Sequence, residues 1–346
     1  MFDRLFAMAV GALLFASPGG ATVWNVNPGG TGDAPTIQAA FDAAAPGDTI
    51  VLAPGVYRDS HTRTITDWIG DITTTTAIAF MKPGVNIMSS AGADATILDG
   101  EVNHHGLVGT DLGTVDVREI TFQDCRPSGS GGLGSFTGSG LMIQRSSPMV
   151  EGNVFRRCVA SGGGGASGLY LIEATGGAVR LNLFVDNVAG DIGGGAGILA
   201  CIGTVVERNT FVRNLAKDGG GALEINFSQI TFSNNVLVMN TANVRGGGLL
   251  CLNGSTTAGG CNLFWNNTAP IDDHATQGCL SLFSNNNLVA DPLFCDPSAD
   301  NFHVQSNSPA SPDHPSGCGQ RGAFGVGCGP ISVESASWGR VKAAYR

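Results

Sequence analysis

The segment NLFVDN at residues 182–187 decides the fold, because versions of it recur along the chain. The six versions are ITFQDC (120–125), NVFRRC (153–158), NLFVDN (182–187), NTFVRN (209–214), NVLVMN (235–240) and NLFWNN (262–267). Their third residues are separated by 33, 29, 27, 26 and 27 positions. Such unequal periods exclude a strict short repeat and favour stacked coils in which the strands are constant and one loop varies in length.

A second motif lies between these segments and begins with glycine or another small residue. It reads GSGLMI (138–143), ASGLYL (166–171), GAGILA (195–200), GGALEI (220–225) and GGGLLC (246–251). Each copy predicts a turn that leads into a buried strand, and helical periodicity is absent from this part of the chain. We therefore expect an all-β fold, a parallel β-helix of about eight to nine coils.

Aligning the repeats places equivalent residues on neighbouring coils, about 4.8 Å apart. We take the third residue of each segment as the register mark. Two positions before this mark the column contains mostly asparagine, which predicts a ladder of amide hydrogen bonds. The predicted ladder consists of Asn153, Asn182, Asn209, Asn235 and Asn262. Three positions after the mark, Cys125 and Cys158 become direct neighbours. Their spacing falls within the Cα range of a disulfide, so we predict that they pair.

Charged residues also form columns of alternating sign. One column contains Arg118, Glu151, Arg180 and Glu207, and the other contains Asp124, Arg157, Asp186 and Arg213. Opposite charges one coil apart stabilise a stack modestly, by about 0–1 kcal/mol for each exposed pair. These residues therefore have a structural explanation that does not require catalysis.

The two ends of the chain differ from the repeats. Residues 1–21 have the pattern of a secretory signal peptide, and no second candidate span follows, so we expect a secreted or cell-surface protein. The β-helix is expected over 22–290, preceded at its first coil by a short capping helix within 35–47. A loop-rich, cysteine-containing cap is expected over 291–329, followed by a tail over 330–346.

Composition excludes several classes of partner and cofactor. The net charge of −10 argues against nucleic acid. The nine cysteines contain no CxxC pair, so no metal site is predicted, and in an exported chain disulfides are permitted. The late cysteines Cys279, Cys295, Cys318 and Cys328 would stabilise the cap, but their connectivity cannot be read from the sequence.

Three stretches resemble known proteins. The opening TIQAAFDAAAPGDTIVLAPGVY (36–57) is similar to the start of the pectate-lyase-like right-handed β-helix superfamily, and DPLFCDP with NFHVQSNSPA (291–310) resembles the closing cap of secreted bacterial members. The FVDN, FVRN, FWNN and GGAL segments resemble repeats of polymorphic outer-membrane proteins. The resemblance implies a right-handed β-helix but specifies no activity, because this superfamily includes lyases, hydrolases, epimerases and adhesins. No catalytic residue matches a family motif.

Two constellations carry candidate chemistry. LDGEVNHHG (98–106) brings together Asp99, Glu101, His104 and His105, whose carboxylates and imidazoles could serve as acid and base. The second set consists of Asp124, Arg126, Arg156, Arg157 and Asp186. The charge columns account for Asp124, Arg157 and Asp186, which leaves Arg126 and Arg156 unexplained. An arginine near an aspartate is suited in kind to a lyase, which neutralises a uronate and removes a proton.

The sequence is compatible with two functional classes. The first is a non-catalytic structural, adhesive or glycan-binding protein, which needs no cofactor. The alternative is a polysaccharide lyase or glycoside hydrolase acting on an extracellular, uronate-containing or neutral polysaccharide, with calcium as the cofactor of a lyase. In an enzyme, the unassigned carboxylates and arginines should converge in one cleft.

Overall fold

The protein is a right-handed parallel β-helix of about ten turns in a computed structural model. The structure describes residues 20–66, 72–126, 138–160, 165–275, 279 and 285–329. The predicted tail (330–346), most of the signal peptide (1–21) and most of the loop after Arg126 lie outside these residues. The turn number exceeds the predicted eight to nine, because coils at both ends, such as that of Val23–Val26, lack the repeated motif.

The chain consists mainly of short strands joined by turns and loops. The strands of the first half are β1 (Val23–Val26), β2 (Thr49–Leu52), β3 (Gly55–Tyr57), β4 (His61–Thr66), β5 (Ile72–Phe80), β6 (Asn86–Ser89), β7 (Thr96–Asp99), β8 (His105–Arg118), β9 (Thr121–Gln123), β10 (Leu141–Glu151), β11 (Val154–Arg156), β12 (Val159–Ala160), β13 (Leu169–Ile172), β14 (Ala178–Arg180), β15 (Leu183–Val185) and β16 (Val188–Ala189). Those of the second half are β17 (Ala196–Leu199), β18 (Ile202–Glu207), β19 (Thr210–Val212), β20 (Leu215–Ala216), β21 (Leu223–Asn226), β22 (Gln229–Ser233), β23 (Val236–Val238), β24 (Thr241–Ala242), β25 (Leu249–Leu252), β26 (Thr256–Ala258), β27 (Leu263–Trp265), β28 (Leu288–Val289), β29 (Phe294–Asp296), β30 (Asn301–Gln305) and β31 (Val326–Cys328).

Parallel pairing between coils produces three sheets. Sheet A has the order β1-β2-β6-β8-β10-β13-β17-β21-β25, with a second limb formed by β14, β18, β22 and β26. Sheet B has the order β3-β7-β9-β11-β15-β19-β23-β27-β28, and the short sheet C contains β12, β16, β20 and β24. The remaining sheet, β29-β30-β31, belongs to the part of the chain over 291–329, called here the C-terminal segment.

The register follows the phenylalanine column predicted from the repeats. Phe122 pairs with Phe155, which pairs with Phe184, and Phe184 pairs with Phe211. Their rings stack inside the helix with centroid separations of 4.9, 4.8 and 4.5 Å. The predicted alignment of the coils is therefore confirmed.

Glycine in the second motif makes room for these rings. A β-carbon at Gly168 would lie 3.2 Å from Phe184 Cδ1 and 2.5 Å from the carbonyl oxygen of Gly195. A β-carbon at Gly140 would lie 3.0 Å from Phe155 Cδ1. The small residue at the start of each sheet A strand and the phenylalanine of sheet B are thus two parts of one packing arrangement.

The predicted asparagine ladder is confirmed. In each step, the Oδ1 atom of one asparagine accepts from both the backbone N–H and the side-chain amide of the asparagine on the preceding coil. For example, Asn209 accepts from Asn182 at 3.1 and 2.9 Å, while its own amide donates to the Val179 carbonyl at 2.8 Å. Asn262 continues the ladder to Asn287, which the alignment did not include.

A second ladder runs through Asn187, Asn214, Asn240 and Asn267 with the same pattern of bonds. The residue before each ladder position adopts a left-handed conformation, as in Asp186 and Arg213, both with φ of 55°. This conformation turns the chain sharply between two strands. The turn residue therefore faces outward while the next asparagine lies buried and bonds the turn above it.

The predicted disulfide between Cys125 and Cys158 is wrong, since both thiols are free and buried. The two residues do occupy equivalent positions on neighbouring coils, because Gln123 pairs with Arg156. In such a parallel column the β-carbons point the same way at about the 4.8 Å strand spacing, above the mean of ~3.8 Å in disulfides. The Cys125 thiol donates instead to the Gln123 carbonyl at 3.4 Å, and burial raises its pKa.

The predicted N-terminal helix is confirmed as α1 (Ile37–Ala43). The Thr36 hydroxyl accepts from the Ala39 N–H at 3.1 Å and caps its first turn. Ile37 and Phe41 are fully buried against the first coils, so the helix covers the core there. The threonine-rich stretch beyond the first coils forms the antiparallel pair β4–β5.

The C-terminal segment packs along the flank of the helix. Phe294, Phe302 and Val304 bury the outer face of sheet B at Val185, Val212 and Val238, among other residues. Arg321 is fully buried at this junction and donates to the carbonyls of Cys261 and Pro309 at 2.8 and 2.6 Å.

Three disulfides join the late cysteines: Cys251–Cys279, Cys261–Cys318 and Cys295–Cys328. Only the second of these links a coil of the helix to the C-terminal segment, because Cys261 precedes β27. These bonds are typical of a protein that folds in an oxidising compartment. No helix within the described ranges has the length and apolar character needed to cross a membrane.

Candidate functional site

The outer face of sheet B changes character along the stack. The outward column reads Asp99, Gln123 and Arg156 in the early coils and then becomes Val185 and Val212. The C-terminal segment covers the apolar part, as described above. The polar part lies beside the edge of that segment, so a cleft forms where the cover ends.

This cleft, called here the cap cleft, has a volume of about 210 Å³. Its floor belongs to sheet B, its far wall to the C-terminal segment, and one further residue to the turn before β7. The residues that line it are Asp94, Thr121, Val154, Arg156, Leu183, Val185, Asp300, Asn301, Phe302, His303 and Phe324. It combines a guanidinium, carboxylates, an amide and an imidazole with aromatic rings, which is the mixture that small-ligand sites use.

Arg156 is the predicted residue that contributes to the cap cleft. Its Nε and Nη2 atoms both donate to the Gln123 side-chain oxygen, at 2.8 and 2.5 Å. No carboxylate in the described part of the chain forms an ion pair with it, in contrast to its neighbour Arg157, which pairs with Asp124 at 2.8 Å. Gln123 therefore fixes the guanidinium plane while its charge stays available to a ligand.

Aromatic packing and one ion pair hold the opposite wall of the cleft. The Phe324 ring lies 5.3 Å from the His303 ring and 6.4 Å from the Phe302 ring. Arg213 pairs with Asp300 at 2.6 Å and lies over the Phe302 ring at 5.5 Å. The wall is therefore anchored to sheet B by a contact that does not use Arg156.

The predicted acidic pair Asp99 and Glu101 is engaged by one arginine. Arg58 lies 3.0 Å from Asp99 Oδ2 and 3.5 Å from Glu101 Oε1. Asp99 also accepts the Glu101 backbone N–H at 3.1 Å, which stabilises the turn. Arg58 therefore connects both carboxylates to the end of β3.

The predicted histidines are both buried. His105 is fully buried, and its Nδ1 donates to the Gly138 carbonyl at 2.6 Å. Burial lowers the pKa of His105 to about 4, and it also lowers the pKa of His104, where the charges of Glu101 and Asp99 oppose the shift. Neither imidazole has a hydrogen bond to its Nε2 atom. Both side chains are inaccessible to a large polysaccharide.

Arg126 is exposed, and its backbone N–H donates to the His104 carbonyl at 3.0 Å. It thus lies near the first constellation, whereas Arg156 lies on the next coil and in the cap cleft. Among the described residues, the two predicted sets meet at the backbone bond between Arg126 and His104 and in the column Asp99, Gln123 and Arg156. The candidate acids, bases and arginines do not converge in one cleft among the described residues.

Metal binding has little support in the described part of the chain. No three histidine, cysteine, aspartate or glutamate side chains come together there in a way that could hold an ion. Asp99 and Glu101, the closest pair of predicted carboxylates, already share the guanidinium of Arg58. These residues therefore do not fit the calcium of a lyase mechanism.

A larger concavity, of about 410 Å³, lies at the turn that precedes β23 and β27. Its lining is formed by Ser233, Asn234, Gly259, Gly260, Cys261, Asn285 and Asn286. None of these side chains is ionisable, since Cys261 is in a disulfide. Its polar groups belong to the turns and to the junction with the C-terminal segment, so volume alone does not make it the better candidate.

Sequence reasoning missed most of the cap cleft. Asp94 was not singled out, and Asp300, Phe302, His303 and Phe324 belong to a segment that was assigned only a capping role. One signal was available in the repeats. The outward valines Val185, Val212 and Val238 form an apolar strip that needs a cover.

No protein-family model matches the sequence, and no curated protein matches it. Among solved structures, the chain is similar to a crystal structure of pectate lyase Pel9A, with a TM-score of 0.41 and 12% sequence identity. The similarity covers 89% of this chain and 97% of that chain. The coil pairing itself establishes the parallel β-helix, and the similarity does not bear on activity. The resemblance to polymorphic outer-membrane protein repeats stays a prediction.

Proposed function

We propose that the protein is a non-catalytic extracellular scaffold that binds a carbohydrate in the cap cleft. The observation that carries this proposal is Arg156, a guanidinium that Gln123 fixes and that has no carboxylate partner among the described residues, opposite the rings of Phe302 and Phe324. A sugar presents C–H groups on its ring faces and hydroxyl groups at its rim. Aromatic rings suit the former, and Arg156, Asp300 and Asn301 suit the latter.

We favour binding over catalysis because the candidate acids and bases are engaged in contacts within the fold. General acid–base catalysis needs two titratable groups within reach of one reacting atom. Asp99 and Glu101 share Arg58, and His105 donates to a backbone carbonyl in a fully buried position. These contacts support a structural role for the first constellation.

Secretion or attachment to a cell surface belongs to the same proposal. Three disulfides among the described residues fit an oxidising environment outside the cytoplasm. The pattern of residues 1–21 adds the export route.

A glycan array probed with the purified mature protein tests the proposal. We expect retention on a defined group of glycans and a loss of about 10- to 100-fold in affinity for Arg156→Ala, since a hydrogen bond to a charged group contributes about 1.5–3 kcal/mol. Phe324→Ala should weaken binding as well, because it removes part of the aromatic wall.

Arg157→Ala is the matched control, because it removes an arginine from the adjacent position that pairs with Asp124 outside the cleft. Its glycan binding should equal that of the unaltered protein. Equal losses in Arg156→Ala and Arg157→Ala, or no retention on any glycan, would contradict the cap cleft as the binding site.

The alternative class is tested separately with a panel of uronate-containing and neutral polysaccharides, with and without calcium. We expect no unsaturated products in the ultraviolet and no new reducing ends. Turnover that disappears in His104→Ala would overturn the non-catalytic proposal and return the function to the first constellation.

A further inference from the structure

The outward column of sheet B is also uncovered at its other end, beyond the C-terminal segment. Strand pairing continues the column from Val212 to Val238 and then to Trp265. Val238 is buried under the C-terminal segment, whereas Trp265 is 38% exposed. On the next coil the equivalent position is Ala290, whose N–H donates to the Phe264 carbonyl at 3.1 Å. A large aromatic ring beside a small residue is therefore partly open to solvent at this end of the column.

Trp265 borders a concavity of about 250 Å³, called here the Trp265 pocket. Its floor includes Val238, Met239 and Trp265 on the helix, and its far wall includes Pro292 and Pro297 on the C-terminal segment. Two separate parts of the chain thus enclose a mainly apolar space around one indole. Concave apolar sites with a few polar groups at the rim are typical of small-ligand binding.

The column of charged turn residues is interrupted at this pocket. Asp186 and Arg213 are turn residues with φ of 55° that form an ion pair. The equivalent residue on the next coil is Met239, which has the same φ of 55° and whose N–H donates to the Trp265 carbonyl at 3.0 Å. Methionine in this conformation is uncommon, and it contributes no ion pair to the stack. It packs instead against the apolar residues under the C-terminal segment and extends the apolar floor of the Trp265 pocket.

The far wall of the Trp265 pocket is held in place by bonds to the rest of the fold. Arg213 donates from Nη1 to the Pro297 carbonyl at 3.0 Å. The Gln305 backbone N–H donates to the Leu293 carbonyl at 2.9 Å, and both of these residues line the pocket. A wall that is already ordered lowers the conformational cost of binding a ligand against it.

The rim of the Trp265 pocket carries a negative charge and no positive one. Asp291 is exposed, and its Oδ1 atom accepts the Leu293 backbone N–H at 2.8 Å, which fixes the carboxylate at the rim. None of the described residues that line the pocket is a lysine, an arginine or a histidine. Asp291 would repel an anionic ligand, whereas hydroxyl groups of a neutral ligand can donate to its carboxylate.

We propose that the Trp265 pocket binds a neutral hexose unit of a polysaccharide, at a site separate from the cap cleft. The C–H face of a hexose packs against the Trp265 ring, and its hydroxyl groups donate to Asp291. Trp265 lies four strands from Arg156 along one column, about 19 Å at the strand spacing of about 4.8 Å, and the C-terminal segment covers the column between them. Binding at Trp265 therefore does not require the cap cleft.

Isothermal titration calorimetry of the full chain tests the Trp265 pocket with cellohexaose, laminarihexaose and mannohexaose as neutral probes. At least one of them should bind, and Trp265→Ala should weaken that binding by about 10-fold or more, because the ring that faces the sugar is lost. Hexagalacturonate is the acidic probe, titrated into Arg156→Ala so that the cap cleft does not contribute. It should bind at least about 10-fold more weakly than the neutral hexaose.

Two control variants separate this pocket from other sources of binding. Phe227→Ala removes an exposed aromatic ring that does not line the Trp265 pocket, so it should bind the neutral hexaose like the unaltered protein. Arg156→Ala should also keep this affinity within about twofold. A failure of the cap cleft and a failure of the Trp265 pocket are therefore distinguishable.

No binding of any of the three neutral hexaoses would overturn the proposal, and so would equal losses in Trp265→Ala and Phe227→Ala. Binding that appears only when residues 330–346 are deleted would also overturn it, because the chain itself would then occupy the pocket. If Trp265→Ala does not fold, hydrogen–deuterium exchange of the unaltered protein decides. The bound hexaose should protect the segments 263–266 and 290–297, and a lack of protection in both would overturn the proposal.

Discussion

Two sets of polar columns run along the same coils, one inside the helix and one outside. Asn187 and Asn214 are buried and joined by bonds of 2.9 and 3.1 Å, while Asp186 and Arg213, one residue earlier, are joined by an ion pair of 2.8 Å on the surface. Both columns obey the same register. The two columns differ in their surroundings, since one is buried and the other is exposed. They therefore differ in how much stability is lost when a bond is removed.

This difference shows when a periodic pattern of charged residues is structural and when it indicates a function. A buried amide that loses its partner bears the full cost of desolvation, about 1–3 kcal/mol, whereas an exposed ion pair exchanges with water and contributes about 0–1 kcal/mol. The exposed ion pairs of the outer columns therefore contribute little to the stability of the stack. Arg156 differs because no carboxylate among the described residues forms an ion pair with it, and this is the reason for proposing a ligand there.

The largest effect is expected when the inner ladder is broken. Asn209→Leu and Asn235→Leu should each lower the free energy of unfolding by about 1–3 kcal/mol, because each leaves a buried N–H and carbonyl without a partner. Denaturant unfolding followed by circular dichroism measures this change. Asn243→Leu, at an exposed position, is the control and should stay within about 0.5 kcal/mol of the unaltered protein. Unchanged stability in both ladder variants would contradict the register.

An intermediate effect is expected where the outer column reaches the C-terminal segment. Arg213 bonds Asp186 and Asp300 and lies over Phe302, so Arg213→Ala should cost about 1–2 kcal/mol. The side-chain bond to Asp186 raises the pKa of Arg213, in agreement with its stronger engagement. Limited proteolysis should release the C-terminal segment faster than in the unaltered protein. A loss as small as that of an exposed pair would show that this anchor does not hold the segment.

The smallest effect is expected for the exposed member of the same column. Arg157 is half exposed, and in the described part of the chain it pairs only with Asp124, so Arg157→Ala should change the free energy of unfolding by about 0–1 kcal/mol. High salt should reduce even this difference. A loss comparable to that of Asn209→Leu would break the distinction between inner and outer columns.

The sequence predicted those features of the fold that depend on the repeat period. Because one alignment fixes every column, it was sufficient for the Phe184 stack, the Asn209 ladder and the Arg157 pairing. The same alignment failed for Cys125 and Cys158, since it gives which residues are neighbours but not whether their β-carbons come close enough for a disulfide. Fold and ladders were thus predictable because they depend on period alone.

The cap cleft could not be predicted because its walls come from unrelated parts of the chain. Arg213 and Asp300 are 87 residues apart, and no period links the repeats to the C-terminal segment. Likewise, nothing in the sequence indicated that Arg58 would engage Asp99, 41 residues later. Pairs of this kind depend on how loops and segments fold onto the stack.

The most direct test of the account is the exchange footprint of the strongest array glycan on the unaltered protein. Hydrogen–deuterium exchange with and without this glycan should show protection in the segments 154–157 and 300–304, which form the two walls of the cap cleft. It should show none in the segment 98–106, which contains the predicted acids and histidines. Protection confined to 98–106 would contradict the account and make that constellation the binding site.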